Sequence, residues 1–341
     1  MKQDELARLL GLSQTTVSRA LGGYSDVSAK TRERVLKEAV RLGYAPNPHA
    51  RTLATGTIDV IGCIIPVTDH NPILNPIFAD FLAGVSDACR RRSFGLSLHT
   101  VDAENELLTY RQLAASGSVG GIVIQSPMLD DPRIPLLNEL GLPYMIHGRA
   151  AHSQHAYEFV DVDNEQAIRD CATYLKEIGH RSIAFFNGDT RYDYAYRRRE
   201  GFLRALAAAD LEYQPDLYFE DLLTSGAGYR LATQVMTREQ RPTAIIASSV
   251  IMGWGVKNAM DDMGLTLGRD VSVAVFDDEL RYLTMSSEGF RFTAMKSSVQ
   301  EAGLLIAEAL VKRIKGTAAA PTARILGADL VIGSTTGQPK A

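Results

Sequence analysis

At 341 residues, with 45% hydrophobic and 22% charged side chains, the chain has the composition of a soluble globular protein and is too long for one core, so two or three domains are expected. No apolar run approaches the roughly 20 residues of a membrane span, and the N-terminus lacks the pattern of a secretory signal, so a cytoplasmic protein with no membrane partner is expected. Cys63, Cys89 and Cys171 are too few and too far apart for a disulfide framework or a metal cluster, and the net charge of −4 conceals an asymmetry: residues 1–57 hold nine Lys/Arg against five Asp/Glu, a basic end on an acidic body.

Leu6, Ala7 and Leu10 are spaced for the apolar face of a short helix, which Gly11 ends in a tight turn. Ser13 is placed to cap a second helix, in which Val17, Ala20 and Leu21 fall at i, i+3 and i+4 and face inward. Gln14, Thr15, Ser18 and Arg19 fall on the other side. They offer amide, hydroxyl and guanidinium groups of the kind that bond base edges and phosphates in a major groove. Ser28 caps a third helix with Val35, Leu36, Ala39 and Leu42 as its stripe; Gly43 ends it and Pro46 bars continuation. Spacing alone fits a three-helix bundle with a merely solvated polar face equally well. The positive charge of this end favours a polyanionic partner.

From Ile58 short apolar runs alternate with longer amphipathic stretches. Val60–Ile65, Gly95–His99, Gly121–Gln125 and Tyr144–His147 read as buried parallel strands, and Ser182–Asn187, Asp216–Phe219, Ala244–Ala247 and Val271–Phe276 repeat the scheme. The expected class is α/β, with two doubly wound parallel sheets forming two lobes joined near Glu158–Asp161 and Phe290–Ala294. Residues 58–158 with 294–320 would make one lobe, and 159–293 with 321–338 the other. Ligands of such folds lie beyond the strand carboxyl ends. There, His147-Gly148-Arg149 combines close backbone approach with a guanidinium fork that suits hydroxyls or a carboxylate; the plainer reading is that Arg149 ties a loop. Trp254, the only tryptophan, could stack on a pyranose or pack in the core.

The stretches Ser13-Gln14-Thr15-Thr16-Val17-Ser18-Arg19, Val27-Ser28-Ala29-Lys30-Thr31-Arg32 and Gly43-Tyr44-Ala45-Pro46-Asn47-Pro48, with Ala50, Arg51 and Leu53, resemble the LacI/GalR family of bacterial transcription regulators. The resemblance implies a helix-turn-helix headpiece over residues 1–45, a hinge over 46–57, and a two-lobed core like that of periplasmic sugar-binding proteins. It implies that Ser13, Gln14, Thr15, Thr16, Ser18 and Arg19 contact DNA. It implies that Asn47, Ala50, Arg51 and Leu53 form a hinge on the operator, with Leu53 wedged into the minor groove. For the core it implies a small effector between the lobes, touched by Asn75 and Phe78 at a helix start. Arg198 of Arg198-Arg199-Glu200-Gly201-Phe202 and Asp277 of Val275-Phe276-Asp277-Asp278 would also contact it, with Asp278 holding structure. Ser248-Ser249 stands where the family commonly has Asn-Asp, and Ser297 where many members have Gln, so hydroxyls replace longer side chains in the cleft. Residues Gly11 to Leu21, together with His147-Gly148-Arg149, look most like regulators of α-glucoside utilisation.

No Gly-Lys dipeptide, no His-Glu pair and no Gly-x-Ser-x-Gly elbow occurs, so phosphate-loop, zinc-protease and serine-hydrolase chemistry lack their motifs. The pairs Asp130-Asp131 and Asp261-Asp262 read as solvated loop or helix-surface acids. The expectation is a non-enzymatic, cofactor-free repressor that binds operator DNA as a homodimer and responds to a sugar, an α-glucoside first. A tetramer is less expected, because no leucine heptad follows Gly333. The alternatives are the same kind of regulator with another sugar, a sugar phosphate or a purine as effector, or a solute-binding protein.

Overall fold

The computed structural model describes residues 3–21, 26–44, 57–67, 75–280 and 290–340. The chain divides into two compact units, Met1–Ile58 and Asp59–Ala341.

In the first unit, α1 (Gln3–Leu10), α2 (Gln14–Leu21) and α3 (Ala29–Arg41) enclose a core of Leu6, Ala7, Leu10, Val17, Ala20, Val27, Val35 and Ala39. Gly11 adopts φ +64°, the left-handed turn that lets Leu12 N–H reach back to the Ala7 carbonyl at 3.0 Å and close α1. Ser13 and Ser28 cap the next two helices, accepting from the amides of Thr16 at 3.0 Å and Thr31 at 3.2 Å. Arg34 Nη2 donates to the Leu10 carbonyl at 2.7 Å and ties α3 to the end of α1. Leu36, expected in the buried stripe, is exposed, because the face of α3 toward the core is filled by Val35 and Ala39.

The second unit holds two six-stranded sheets. Strands β1 (Val60–Val67), β2 (Gly95–Asp102), β3 (Gly121–Gln125), β4 (Tyr144–His147), β5 (Phe159–Val162) and β11 (Ala323–Leu326) run parallel in the order β11-β5-β4-β3-β1-β2. Strands β6 (Ile183–Asn187), β7 (Tyr218–Glu220), β8 (Ala244–Ala247), β9 (Ser272–Asp277), β10 (Thr293–Lys296) and β12 (Asp329–Val331) are ordered β12-β10-β9-β8-β6-β7, with β12 alone antiparallel. The helices α4 (Pro76–Arg92), α5 (Glu106–Ser116), α6 (Arg133–Leu140), α7 (Asn164–Glu177), α8 (Asp193–Ala208), α9 (Ser225–Met236), α10 (Val250–Asp262) and α11 (Val299–Ile314) cover them.

The lobe boundaries differ from the expected ones. Residues 159–162 and 323–326, expected in the second lobe, pair in the first sheet as β5 and β11, while residues 294–296, expected in the first, pair with β9 in the second. Each strand completes its ladder before the chain leaves its sheet. The crossings therefore follow Val162, Lys296 and Leu326. At the first two, Asp163 and Ser298 cap the helices that begin in the other lobe.

Glycines permit two close helix approaches. A Cβ at Gly201 would lie 2.1 Å from the Glu165 carbonyl oxygen, so only glycine lets α8 seat this near the start of α7. A Cβ at Gly84 would lie 2.0 Å from the Gln300 carbonyl oxygen, which locks α11 onto α4. Asp131, expected to be solvated, is buried. Arg133 forks onto its two oxygens at 2.8 and 2.6 Å, neutralising it where water is excluded.

Candidate functional site

The headpiece presents Ser13, Gln14, Thr15, Ser18 and Arg19 to solvent along α2, with Thr16 half-buried. Ser13 and Thr16 also serve the helix start, their hydroxyls 2.8 Å apart. Arg19 pairs with Asp26 at 2.7 Å, which fixes the guanidinium beside the outward face. Gln14 and Thr15 project from the first turn, the part of a reading helix that reaches base edges. Asn47, Ala50, Arg51 and Leu53 lie outside the described residues.

In the core, a hydrogen-bonded chain of side chains runs from one lobe to the other at the strand ends. Arg149, just past β4, donates through Nε to Asp161 Oδ2 at 2.7 Å. The other Asp161 oxygen accepts from Asn164 Nδ2 at 3.3 Å, and Asn164 Oδ1 accepts from Arg198 Nε at 2.8 Å. Arg198 Nη1 then donates to the Ser248 carbonyl at 2.6 Å. The sequence builds this locally: Asp161 lies on β5, Asn164 opens α7, and Gly201 brings α8 close enough for Arg198, one turn earlier, to meet Asn164. The Arg198 guanidinium lies 3.8 Å from the Phe276 ring centroid and 5.2 Å from that of Tyr194, so its charge is held against aromatic faces.

Burial shapes the protonation of the site. The Asp161 carboxyl is raised by desolvation, against the opposing pull of Arg149. Asp278 is pushed up to about 7, first by desolvation, with Arg198 opposing and Asp277 adding repulsion. His147 is pushed down to about 4 by desolvation and stacks on Phe81, with ring centroids 4.8 Å apart and planes inclined by 16°. It therefore offers a neutral imidazole at neutral pH, one nitrogen donating and one accepting.

Several residues expected at the effector are engaged within the protein. Asn75 caps α4, accepting from the Ile77 amide at 3.0 Å, and Phe78 is core, packed with Cys63, Ile65 and Leu82. Ser248 Oγ donates to Asn187 Oδ1 at 2.8 Å, and Ser249 caps α10 through the Ile251 amide at 3.2 Å. Trp254 packs in an aromatic cluster, 5.6 Å from Phe290 and 5.4 Å from Phe292, not with the arginine chain. Asp277 is engaged by Lys296 at 3.4 Å and by the Glu279 amide at 2.9 Å, and the charge of Arg198 acts on its neighbour Asp278. Asp161, Asn164 and Tyr194 were missed by the sequence reading. The only signal for Asn164 was its place next to a capping Asp at a helix start.

The family model described as bacterial regulatory proteins, lacI family, matches residues 3–47, and that of a periplasmic binding protein-like domain matches residues 172–336. The HTH-type transcriptional regulator AglR of Rhizobium meliloti (strain 1021) is 38% identical over 334 residues, 98% of this chain and 93% of that protein. The HTH-type transcriptional regulator RafR of Escherichia coli is 36% identical over 278 residues, covering 81% and 82% of the two chains. Among solved structures, the transcriptional regulator CelR–cellobiose complex matches with a TM-score of 0.73 at 27% identity, over 98% of this chain and 99% of that one. With the likeness running through headpiece and core alike, the chain belongs to the LacI family of HTH-type transcriptional regulators.

Proposed function

We propose that the chain is a transcriptional repressor, not an enzyme, that binds operator DNA as a homodimer. An uncharged sugar, of the α-glucoside disaccharide class, binds between the core lobes and releases the DNA. One observation carries the choice of an uncharged ligand: both cleft arginines are already held. Arg149 is ion-paired to Asp161, and Arg198 is bonded to Asn164 and the Ser248 carbonyl while in the field of Asp278. A phosphate or carboxylate would have to displace Asp161 or lie against Asp278. Hydroxyls can donate to the acids and accept from the remaining guanidinium N–H groups without breaking the chain. The cellobiose bound to the CelR relative is a neutral disaccharide as well. The α-glucoside class follows the resemblance of residues Gly11 to Leu21 and of His147-Gly148-Arg149 to that subgroup.

Calorimetry at pH 7 with maltose, sucrose, trehalose, cellobiose and glucose 6-phosphate tests this. An α-linked disaccharide should bind and glucose 6-phosphate should not. Binding of the phosphate alone would overturn the uncharged class, and binding of cellobiose alone would overturn the α-linkage.

A further inference from the structure

The lobes also meet at the rim of the cleft through backbone. Leu129 N–H donates to the Arg191 carbonyl at 3.1 Å, and Asp193 N–H donates to the Pro127 carbonyl at 3.1 Å. These two bonds flank an antiparallel bridge between Met128 of the first lobe and Tyr192 of the second. The first-lobe loop that makes the bridge is anchored from beneath: buried Asp131 accepts from the Met128 amide at 3.0 Å, and Arg133, which forks onto Asp131, also donates to the Gln125 carbonyl at 3.2 Å. On the other side the bridge leads directly into α8, whose first residue is Asp193. The Asp193 side chain is 1% exposed. Its Oδ1 accepts from the Ala151 amide of the first lobe at 2.9 Å, and its Oδ2 accepts from Arg197 Nε at 2.5 Å. Ala151 lies two residues after Arg149, and Arg197 directly precedes Arg198. One buried carboxylate thus grips the backbone beside one cleft arginine and the side chain beside the other.

We infer that Asp193 is a positioning residue of the effector response: it couples lobe closure at the Met128–Tyr192 bridge to the placement of Arg149, and through the lobe orientation to operator affinity. The inference rests on the reading of the cleft as the effector site. A carboxylate stripped of water is stable only while its donors stay in place. Parting the lobes withdraws the Ala151 amide and admits water, so open and closed are discrete states with no stable arrangement between them. Arg149 rides on the same turn as Ala151, so its reach toward a ligand bound from the second lobe depends on that grip.

The flanking bond pattern makes Met128 and Tyr192 a non-hydrogen-bonded pair, whose Cα atoms in such ladders lie about 4.5 Å apart. A disulfide spans about 4.4–6.8 Å between Cα atoms. Both residues are exposed, at 38% and 36%, whereas Cys63, Cys89 and Cys171 are buried. In full-length protein carrying Met128→Cys and Tyr192→Cys, oxidised glutathione should form the cross-link. Adding Asp193→Ala should slow it about tenfold, the effect of a shift of one decade in the closed fraction. Asp193→Asn keeps the Oδ1 acceptor and should fall between, and it tests the same point should Asp193→Ala not fold. Equal rates in all three would overturn the coupling. This arm needs no sugar.

The second readout is affinity for an operator selected by the wild-type protein from random-sequence DNA. The oxidised double variant should bind about tenfold more weakly than the reduced one, within the usual range of allosteric coupling. Saturating maltose should weaken the reduced form and leave the oxidised form unchanged. Once cross-linked, the Asp193→Ala form should bind operator as its cross-linked parent does. Equal operator binding by oxidised and reduced protein would overturn the link from closure to DNA. Should oxidation weaken binding while maltose does nothing to the reduced form, the Asp193 coupling stands and the sugar reading alone falls.

Discussion

His147 and Asp278 are moved in opposite directions by the same cause, since burial favours the neutral form of each. Asp278 goes from the ordinary 3.8 up to about 7, so between these values the folded chain holds more protons than the unfolded one, and stability falls as pH rises through that window. His147 goes from 6.5 down to about 4, so the folded chain holds fewer protons there, and stability rises with pH across that window. The two effects oppose each other below pH 6.5, and only the loss from Asp278 continues above it. Asp278→Asn mimics the protonated acid, so its stability relative to wild type should grow from about pH 4 to about pH 7 and then level off. His147→Gln should show its largest relative stability at the acid end and lose it by pH 6.5. Urea unfolding across this range reads both, and curves parallel to wild type would show that the two groups do not titrate as described. At this scale the sequence was partly legible. Arg198 could be singled out only through the family resemblance of Arg-x-x-Gly-Phe, while the contact of Gly201 with Glu165 that brings it to Asn164 had no sign in the sequence. Asp161 could not, because nothing in a strand of four residues shows that its carboxylate meets an arginine twelve positions earlier. The single tryptophan was open to misreading for a related reason: its partners Phe290 and Phe292 come from a distant part of the chain.

Elements were more legible than side-chain contacts where they were apolar. All eight strands foreseen are present in some form. The four that were not foreseen, β5, β10, β11 and β12, are three or four residues long. Two carry a charge in mid-strand, Asp161 in β5 and Arg324 in β11, and such runs have too little pattern to stand out from connecting loops. Because these short strands lie next to the crossings between sheets, missing them displaced every lobe boundary. The headpiece shows the opposite case: caps, glycine turns and apolar spacing all agree, and three helices follow. Its second helix carries a direct test. Gln14 and Thr15 are exposed in the first turn of α2, where a side-chain amide can bond bidentately to a base edge. Gln14→Ala should change which operator sequence is preferred, by about 1–3 kcal/mol of discrimination at one base position, more than it lowers total affinity. Binding selections on random DNA at fixed salt give both quantities. Uniform weakening across all sequences would place Gln14 on phosphates instead.

For the whole molecule, assembly and switching share the core. A headpiece with one short reading helix specifies only half a palindromic site, so the protein needs a two-fold partner. The headpiece and hinge region is a poor source of that contact, since residues 1–57 carry a surplus of four positive charges and two copies repel each other. The core offers apolar surface instead: Leu98 is exposed on β2, the edge strand of the first sheet, and Leu222 and Tyr229 are exposed on the second lobe. An uncovered edge strand with an outward leucine is a site that soluble proteins normally cover. Helices α4 and α11 are largely committed to each other, with Gly84 and Gly303 each at the other helix's backbone, so α11 has little apolar surface left to share. A chain lacking residues 1–57 should therefore remain a dimer in analytical ultracentrifugation. Leu98→Asp, which places a charge on that edge, should shift the core toward monomer without altering its helix content by circular dichroism. A monomeric wild-type core would transfer the interface to the hinge and the DNA. In that case the spacing of the two reading helices could not be set by the core, and lobe closure would have to act on DNA binding within each subunit alone.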